Sequence, residues 1–353
     1  PPPPPPTPRA CPQLRVLLDC GWSDTFDVDQ LEALRSVAPS VDLVLLSHGD
    51  VAHLGALAYL RKELGLVAPV FSTDPVKRLG QIAMLDAFGS SIKAQRKQED
   101  WPFDVADINS AFSQMTMCKF LSRSEITKGS THVTIVPVNA GHTVGGAVWS
   151  ITVNDTDTIV YAVDYNHEDE NHLNGFDFLS ITRPTLLITG AYNCEMVGAA
   201  QDGRHQPRLL REQELLHRMM LAFRSNGSVL IPCDGVLRVL EMIMILEQQW
   251  EANRLSASYQ IYWVNPTAER TRRLAGPSST AAVLARFCAR APLNHATRLS
   301  RARSETVSET VSETVGRRCC CGGRADHARP SCASLPPSLP PSQPPHQELC
   351  WSG

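Results

Sequence analysis

No run of apolar residues in this chain is long enough to span a bilayer, so no membrane partner is expected. Its first residues are polyproline, where a secretory leader would show a basic stretch and then an apolar one; no signal peptide is expected. Strong net charge is also missing. A formal charge of −3 over 353 residues, with a pI near 6.4, gives no whole-chain electrostatic case for nucleic-acid binding and leaves room only for a local basic patch. No pair of Cys-x-x-Cys motifs exists, which argues against a structural zinc ribbon. The eleven cysteines form no disulfide framework. Cys11, Cys20, Cys118, Cys194 and Cys233 are scattered among apolar segments, as buried free thiols would be, and Cys319, Cys320, Cys321, Cys332 and Cys350 lie in a low-complexity tail. This usage points to a reducing compartment.

The length allows two or three domains. Residues 1–12 are a proline-rich lead with no core-forming residues, expected to be disordered. Residues 266–353 carry Ser304-Glu305-Thr306-Val307 three times in tandem, then a cysteine run, then Ser/Pro repeats. Such a tail cannot bury a face and is expected to be disordered; its composition is unrelated to what precedes it, as in read-through of unrelated sequence. The globular signal is confined to the part between them.

There, short apolar runs alternate with helical patterns. Leu14–Leu18, Val41–Leu46, Pro69–Phe71, His132–Val138 and Thr185–Thr189 read as strands. Ala147–Val153 and Thr158–Val163 read as a hairpin around Asn154-Asp155. Helices are predicted over Asp29–Val37, Leu54–Leu64, from the Asp74 cap and Pro75 to about Phe88, and over Val105–Met115, with Ser90–Asp104 as a surface loop. Further on, helices over Leu209–Arg224 and Gly235–Trp250 alternate with strands over Ser228–Pro232 and Ser258–Val264, the order of a βαβ unit with a parallel pair. The fold class is therefore α/β.

The candidate chemistry sits where strands end, the place α/β folds put it. Ser47-His48-Gly49-Asp50-Val51-Ala52-His53 follows the second strand; Asp19 follows the first; His142 stands on the glycine-flanked turn Ala140-Gly141-His142-Thr143-Val144-Gly145-Gly146; Asp164 ends the hairpin. Neutral imidazoles and carboxylates so clustered are zinc-ligand types. For the His48 loop alone the competing reading is a helix-capping turn, with Asp50 as cap and the histidines incidental.

Four such loops in this order, with Leu-Leu-Asp-Cys-Gly-Trp at 17–22, Leu-Ser-His-x-Asp at 46–50, His-Leu-Gly-Ala-Leu at 53–57, Tyr-Ala-Val-Asp-Tyr-Asn-His at 161–167, His-Leu-Asn-Gly at 172–175, Arg-Pro-Thr-Leu-Leu-Ile-Thr at 183–189, Gly-Ser-Val-Leu-Ile-Pro at 227–232 and Arg-Val-Leu-Glu at 238–241, resemble the metallo-β-lactamase/β-CASP family. Within it the wording is that of the degenerate, non-catalytic subunits of the pre-mRNA cleavage and polyadenylation machinery. The resemblance covers roughly Leu14–Val264.

It implies an αββα metallo-β-lactamase sandwich over residues 13–190 and a partial β-CASP domain over 191–265. It also implies a nuclear, RNA-binding scaffold that pairs with the endonuclease subunit of cleavage and polyadenylation specificity factor, beside a symplekin-like scaffold and pre-mRNA. Asp19, His48, Asp50, His53, His142 and Asp164 are then vestigial metal positions. The departures from the active pattern are Asp50 for a first-metal histidine, Ala52 for a second-metal aspartate and Gly190 for a β-CASP carboxylate. No catalytic residue and no cofactor is expected, at most one weakly bound zinc. The alternatives are a residual single-metal RNA hydrolase using His48, Asp50, His142 and Asp164, or a degenerate relative of the Integrator complex subunit 9 type.

Overall fold

The structure, a computed structural model, describes residues 14–93, 101–171, 173–181, 183–190, 208–265, 267–268 and 270. The expected disorder of 1–12 and of the tail, together with Cys11, Cys194 and His172, lies outside these residues.

Two sheets form the frame. The first is all parallel, in the order β1 (Val16–Leu18), β2 (Leu43–Leu45), β3 (Val70–Thr73), β4 (Thr116–Cys118). The second has the order β5 (Ser124–Lys128), β6 (Thr131–Asn139), β7 (Ala147–Val153), β8 (Asp157–Ala162), β9 (Leu186–Thr189), antiparallel except for the parallel β8–β9 pair. The hairpin predicted around Asn154-Asp155 is present: both residues have positive φ in a turn closed by the Thr156 amide on the Val153 carbonyl, and Thr156 is the third residue of the loop before Asp157 pairs with Val153.

Because side chains alternate along a strand, β2 feeds two cores at once. Leu43 and Leu45, with Phe71, face the second sheet and meet Val133, Ile135, Ala147, Trp149, Ile151 and Tyr161. Val44, Leu46 and Val70 face the other way, toward helices. Burial on both faces explains why β2 reads as one continuous apolar run. The helices on that face are α1 (Glu32–Arg35), α2 (Val51–Leu54), α3 (Leu57–Lys62), α4 (Asp74–Lys93) and α5 (Val105–Ser113). They contribute Leu54, Leu57, Leu60, Val76, Met84, Ile108 and Phe112. The outer face of the second sheet, Val138, Val148, Val160 and Ala162, is covered by Tyr165, Phe176 and Ile181.

Several local expectations change. The helix predicted over Leu54–Leu64 is two short ones, because the His53 carbonyl accepts from the Cys20 amide and the Ala56 amide donates to the Cys20 carbonyl on the neighbouring loop. Thr73, rather than Asp74, caps α4, accepting from the Val76 amide through its Oγ1, while Asp74 pairs with Arg78. The helix runs past Phe88 to Lys93. Ser90–Asp104 is not simply surface: Trp101 and Phe103 are buried in an aromatic cluster with Trp22, Phe26 and Phe88. Cys20 and Cys118 are buried thiols, whereas Cys233 is exposed.

Beyond β9 come α6 (Arg208–Arg224) and α7 (Arg238–Ala252). Ser228–Pro232 and Ser258–Val264 form no strand. Among the described residues neither has a partner strand beside it; Ile231, Tyr259 and Ile261 pack on the α6/α7 core instead, while Leu230 and Val264 face outward.

Trp149 joins the sheets: it is fully buried and its indole Nε1 donates to the Leu46 carbonyl at 3.0 Å. Trp149→Ala should cost about 3–5 kcal/mol in urea unfolding, the range for losing a buried aromatic; a loss below about 1 kcal/mol would mean that the two sheets do not share this core.

Candidate functional site

Backbone bonds bring the four candidate loops together at one end of the sandwich. The Asp19 amide donates to the Leu45 carbonyl (2.9 Å), the Cys20 amide to His53 (2.8 Å), the Ala147 amide to Ser47 (2.8 Å) and the Asn166 amide to Ala140 (2.9 Å). Gly21 is required for this closeness, since a Cβ there would lie 1.6 Å from the Ala52 carbonyl oxygen.

The predicted residues take different places. Asp19 stands behind the cleft, buried, accepting from the Ser47 amide, the Ser47 hydroxyl and the Tyr161 hydroxyl, each at 2.6 Å. Burial pushes its carboxyl up; the His53 charge and those hydrogen bonds oppose the rise. Because the Ser47 hydroxyl proton goes to Asp19, the Ser47 oxygen accepts from His48 Nδ1 at 2.9 Å. The His48 tautomer follows: its Nε2 carries the lone pair. That atom is buried without a hydrogen-bond partner, and Gly146 packs so tightly beside it that a Cβ would come within 2.8 Å. Burial, then the charges of His53 and His142, hold His48 down at about 3, so it is neutral.

His53 is the opposite case. Burial alone would lower it, but its Nε2 lies 3.3 Å from Asp164 Oδ2 and its Nδ1 2.7 Å from Asp50 Oδ1, and these carboxylates push it up to about 10. His53 holds Asp164 at about 2 in return. Asp50 is the N-cap residue of α2 by backbone conformation, yet its side chain makes no cap bond; the carboxylate is engaged with His53, so the capping reading fails. His142, its ring 5.6 Å from that of His48, is lowered to about 4 by burial and by the guanidinium of Arg238. Arg238 Nη2 lies 3.1 Å from His142 Nδ1 and 3.5 Å from its Nε2, and Nη1 lies 3.6 Å from Glu170 Oε1.

Ala52 is exposed on α2 and presents no ligand atom. Gly190 follows β9, whose last residue pairs with Ala162 of β8, so it belongs at the same strand ends as Asp164; a Cβ there would meet nothing within 4 Å. Asp19 and Asp164 both have left-handed backbone, φ 58° and 46°, a strain of about 1–3 kcal/mol each that the loop bonds sustain. Ser47, Tyr161, Arg238 and Glu170 were not among the sequence candidates. Ser47 had a signal, as the residue joining a strand end to the first histidine.

A zinc centre would need several of these groups at once. The orphaned His48 Nε2 suits one. The others do not: both ring nitrogens of His53 are engaged by carboxylates, and His142 faces a guanidinium. Among the described residues no group of three or more His, Cys, Asp or Glu side chains is disposed to hold a metal ion. As arranged, the residues do not fit a dinuclear zinc site.

The family pattern described as a metallo-beta-lactamase superfamily domain matches residues 11–188, half of the sequence, and the chain belongs to that superfamily. Within it, the chain is 41% identical over 258 residues to cleavage and polyadenylation specificity factor subunit 2 of Oryza sativa (73% of this chain, 33% of that protein). The protein of that name from Arabidopsis thaliana is 42% identical over 257 residues, 72% of this chain and 33% of its own length. Cleavage factor two protein 2 of Schizosaccharomyces pombe is 31% identical over 266 residues, 73% of this chain and 31% of its own. The chain thus spans about a third of the curated relatives it matches. Among solved structures, BJP-1, a subclass B3 metallo-beta-lactamase of Bradyrhizobium japonicum, is similar with a TM-score of 0.32 at 16% identity, over 55% of this chain and 73% of that one.

The His53 ion pairs carry a pH signature. A histidine whose folded value is raised stabilises fully below its unfolded value, 6.5, and loses that contribution as pH rises toward about 10. The stability advantage of the wild type over His53→Gln should therefore be full at pH 6 and shrink between pH 7 and 10 in urea titrations. An advantage that grew with pH would show that His53 is neutral.

Proposed function

We propose that this chain is a non-catalytic member of the pre-mRNA 3′-end cleavage and polyadenylation machinery, a nuclear RNA-binding scaffold that pairs with the active endonuclease subunit. The place in that machinery is supported by the names of the relatives. The resemblance adds the endonuclease subunit and a symplekin-like scaffold as partners, and residues 191–265 as the start of a β-CASP domain.

The non-catalytic reading is carried by one observation: His53, the histidine a second metal would use, is held on both ring nitrogens by Asp50 and Asp164. Ala52 offers no further ligand. Two-metal hydrolysis depends on a metal-generated hydroxide and on a clamp at the leaving oxygen, and without the second ion both are lost. That deficit amounts to several kcal/mol of transition-state stabilisation, or about 3 kcal/mol for each electrostatic contact removed. The free Nε2 of His48 favours a second reading, a residual single-metal hydrolase.

RNA cleavage by the purified chain in the presence of zinc separates the two. No cleavage is expected; cleavage that His48→Ala abolishes would establish the hydrolase. Asp50→His combined with Ala52→Asp should also stay inactive in this assay, because Gly190 still leaves the end of β9 without a carboxylate. Activity in that double variant would show that two ligands alone separate this site from an active one.

A further inference from the structure

We infer that Arg238 is a resident cation of the cleft, whose guanidinium lies against the His142 ring and disfavours a divalent ion there by its charge. The inference rests on the non-catalytic reading above and gives it a physical cause beyond the missing ligand at position 52.

A zinc ion binds an imidazole nitrogen at about 2.0–2.1 Å. Arg238 Nη2 lies 3.1 Å from one ring nitrogen of His142 and 3.5 Å from the other. Lying that near to both ring nitrogens, the guanidinium sits against the ring rather than on either lone pair, and an ion bound to His142 with it in place would sit within a few ångströms of a like charge in a partly buried site. Arginine stays protonated, so the conflict cannot be relieved by loss of a proton.

The fold opposes the departure of this side chain. Glu170 lies across the guanidinium, its Oε1 3.6 Å from Nη1, and that carboxylate accepts from Asn166 Nδ2 at 3.0 Å. The first turn of α7 is fixed by Asp234, whose carboxylate accepts from the amides of Val236, Leu237 and Arg238. Glu241, one turn along, accepts from the Asn171 amide and from its side chain, tying the helix to the segment that carries Glu170. Val144, two residues from His142, packs against Val239, Leu240 and Ile243 on one side and against Val236 and Leu237 on the other. Arg238 is therefore presented to His142 by a helix seated on the histidine's own loop. With His53 bridging Asp50 and Asp164, the cleft holds its carboxylates and histidines together by internal cations in the places a metal would bridge.

The test is zinc affinity, measured by competition with a chromophoric chelator on the full chain. Arg238→Met should bind zinc at least tenfold more tightly than wild type, and adding His48→Ala should abolish the gain. Zinc held by cysteines elsewhere is common to all variants and cancels in the comparison. Glu170→Gln, which releases the guanidinium without touching the helix, should shift affinity in the same direction by a smaller factor and keeps the test decisive if Arg238→Met fails to fold. Affinities equal to or weaker than wild type in the variants that fold would overturn the inference. A variant that gains both zinc and RNA cleavage supports the exclusion by Arg238 while overturning the non-catalytic reading, so the two failures are distinguishable.

Discussion

The bridge from Asp50 through His53 to Asp164 is the interaction on which the cleft depends. Asp164, at the end of β8, and Asp50, in the loop after β2, are carboxylates from different sheets that would otherwise repel. His53 contacts both, and the Cys20 amide, donating to the His53 carbonyl, pins the same residue to the Asp19 loop. Truncating one partner of such a buried network leaves uncompensated charge and costs more than the contact itself is worth. Asp19 supports the arrangement from behind, through Ser47 and Tyr161, and so fixes the tautomer of His48. The carboxylates and histidines of the cleft are thus held in a closed set of proton-mediated contacts.

Much of the frame was legible from residues alone. The apolar run at Val41–Leu46 reads as buried because its residues face two cores, and Asn154-Asp155 reads as a turn because these residue types tolerate positive φ. The meeting of Asp19, His48, His142 and Asp164 followed from each standing at a strand end. What escaped was tertiary. The break between α2 and α3 comes from the His53 carbonyl and the Ala56 amide both bonding to Cys20, a residue far back in sequence that no local pattern reveals. Trp101 and Phe103 sit in a charged, polar stretch, yet an aromatic cluster claims them. The alternating patterns at Ser228–Pro232 and Ser258–Val264 suit strands but have no neighbour to pair with among the described residues. Arg238 was visible only as part of a family's wording; its meeting with His142, 96 positions earlier, is a product of how α7 is seated.

On the proposed reading, a silent site in such a fold is more than a missing ligand. Ala52 offers no donor, and the carboxylates Asp50 and Asp164 and the His142 ring each lie against a cation, His53 or Arg238. A site so compensated keeps the loop architecture, and hence the surface around it, without needing an ion to hold it. That suits the proposed role, in which the chain is bound rather than cutting RNA itself.

The most direct measurement of this account is anomalous diffraction at the zinc edge from crystals of the protein prepared with stoichiometric zinc. The account predicts no anomalous density in the cleft, with Arg238 seated on His142 and His53 still bridging Asp50 and Asp164. Strong density bonded to His48 Nε2, His142 and Asp164, with the guanidinium displaced, would contradict it.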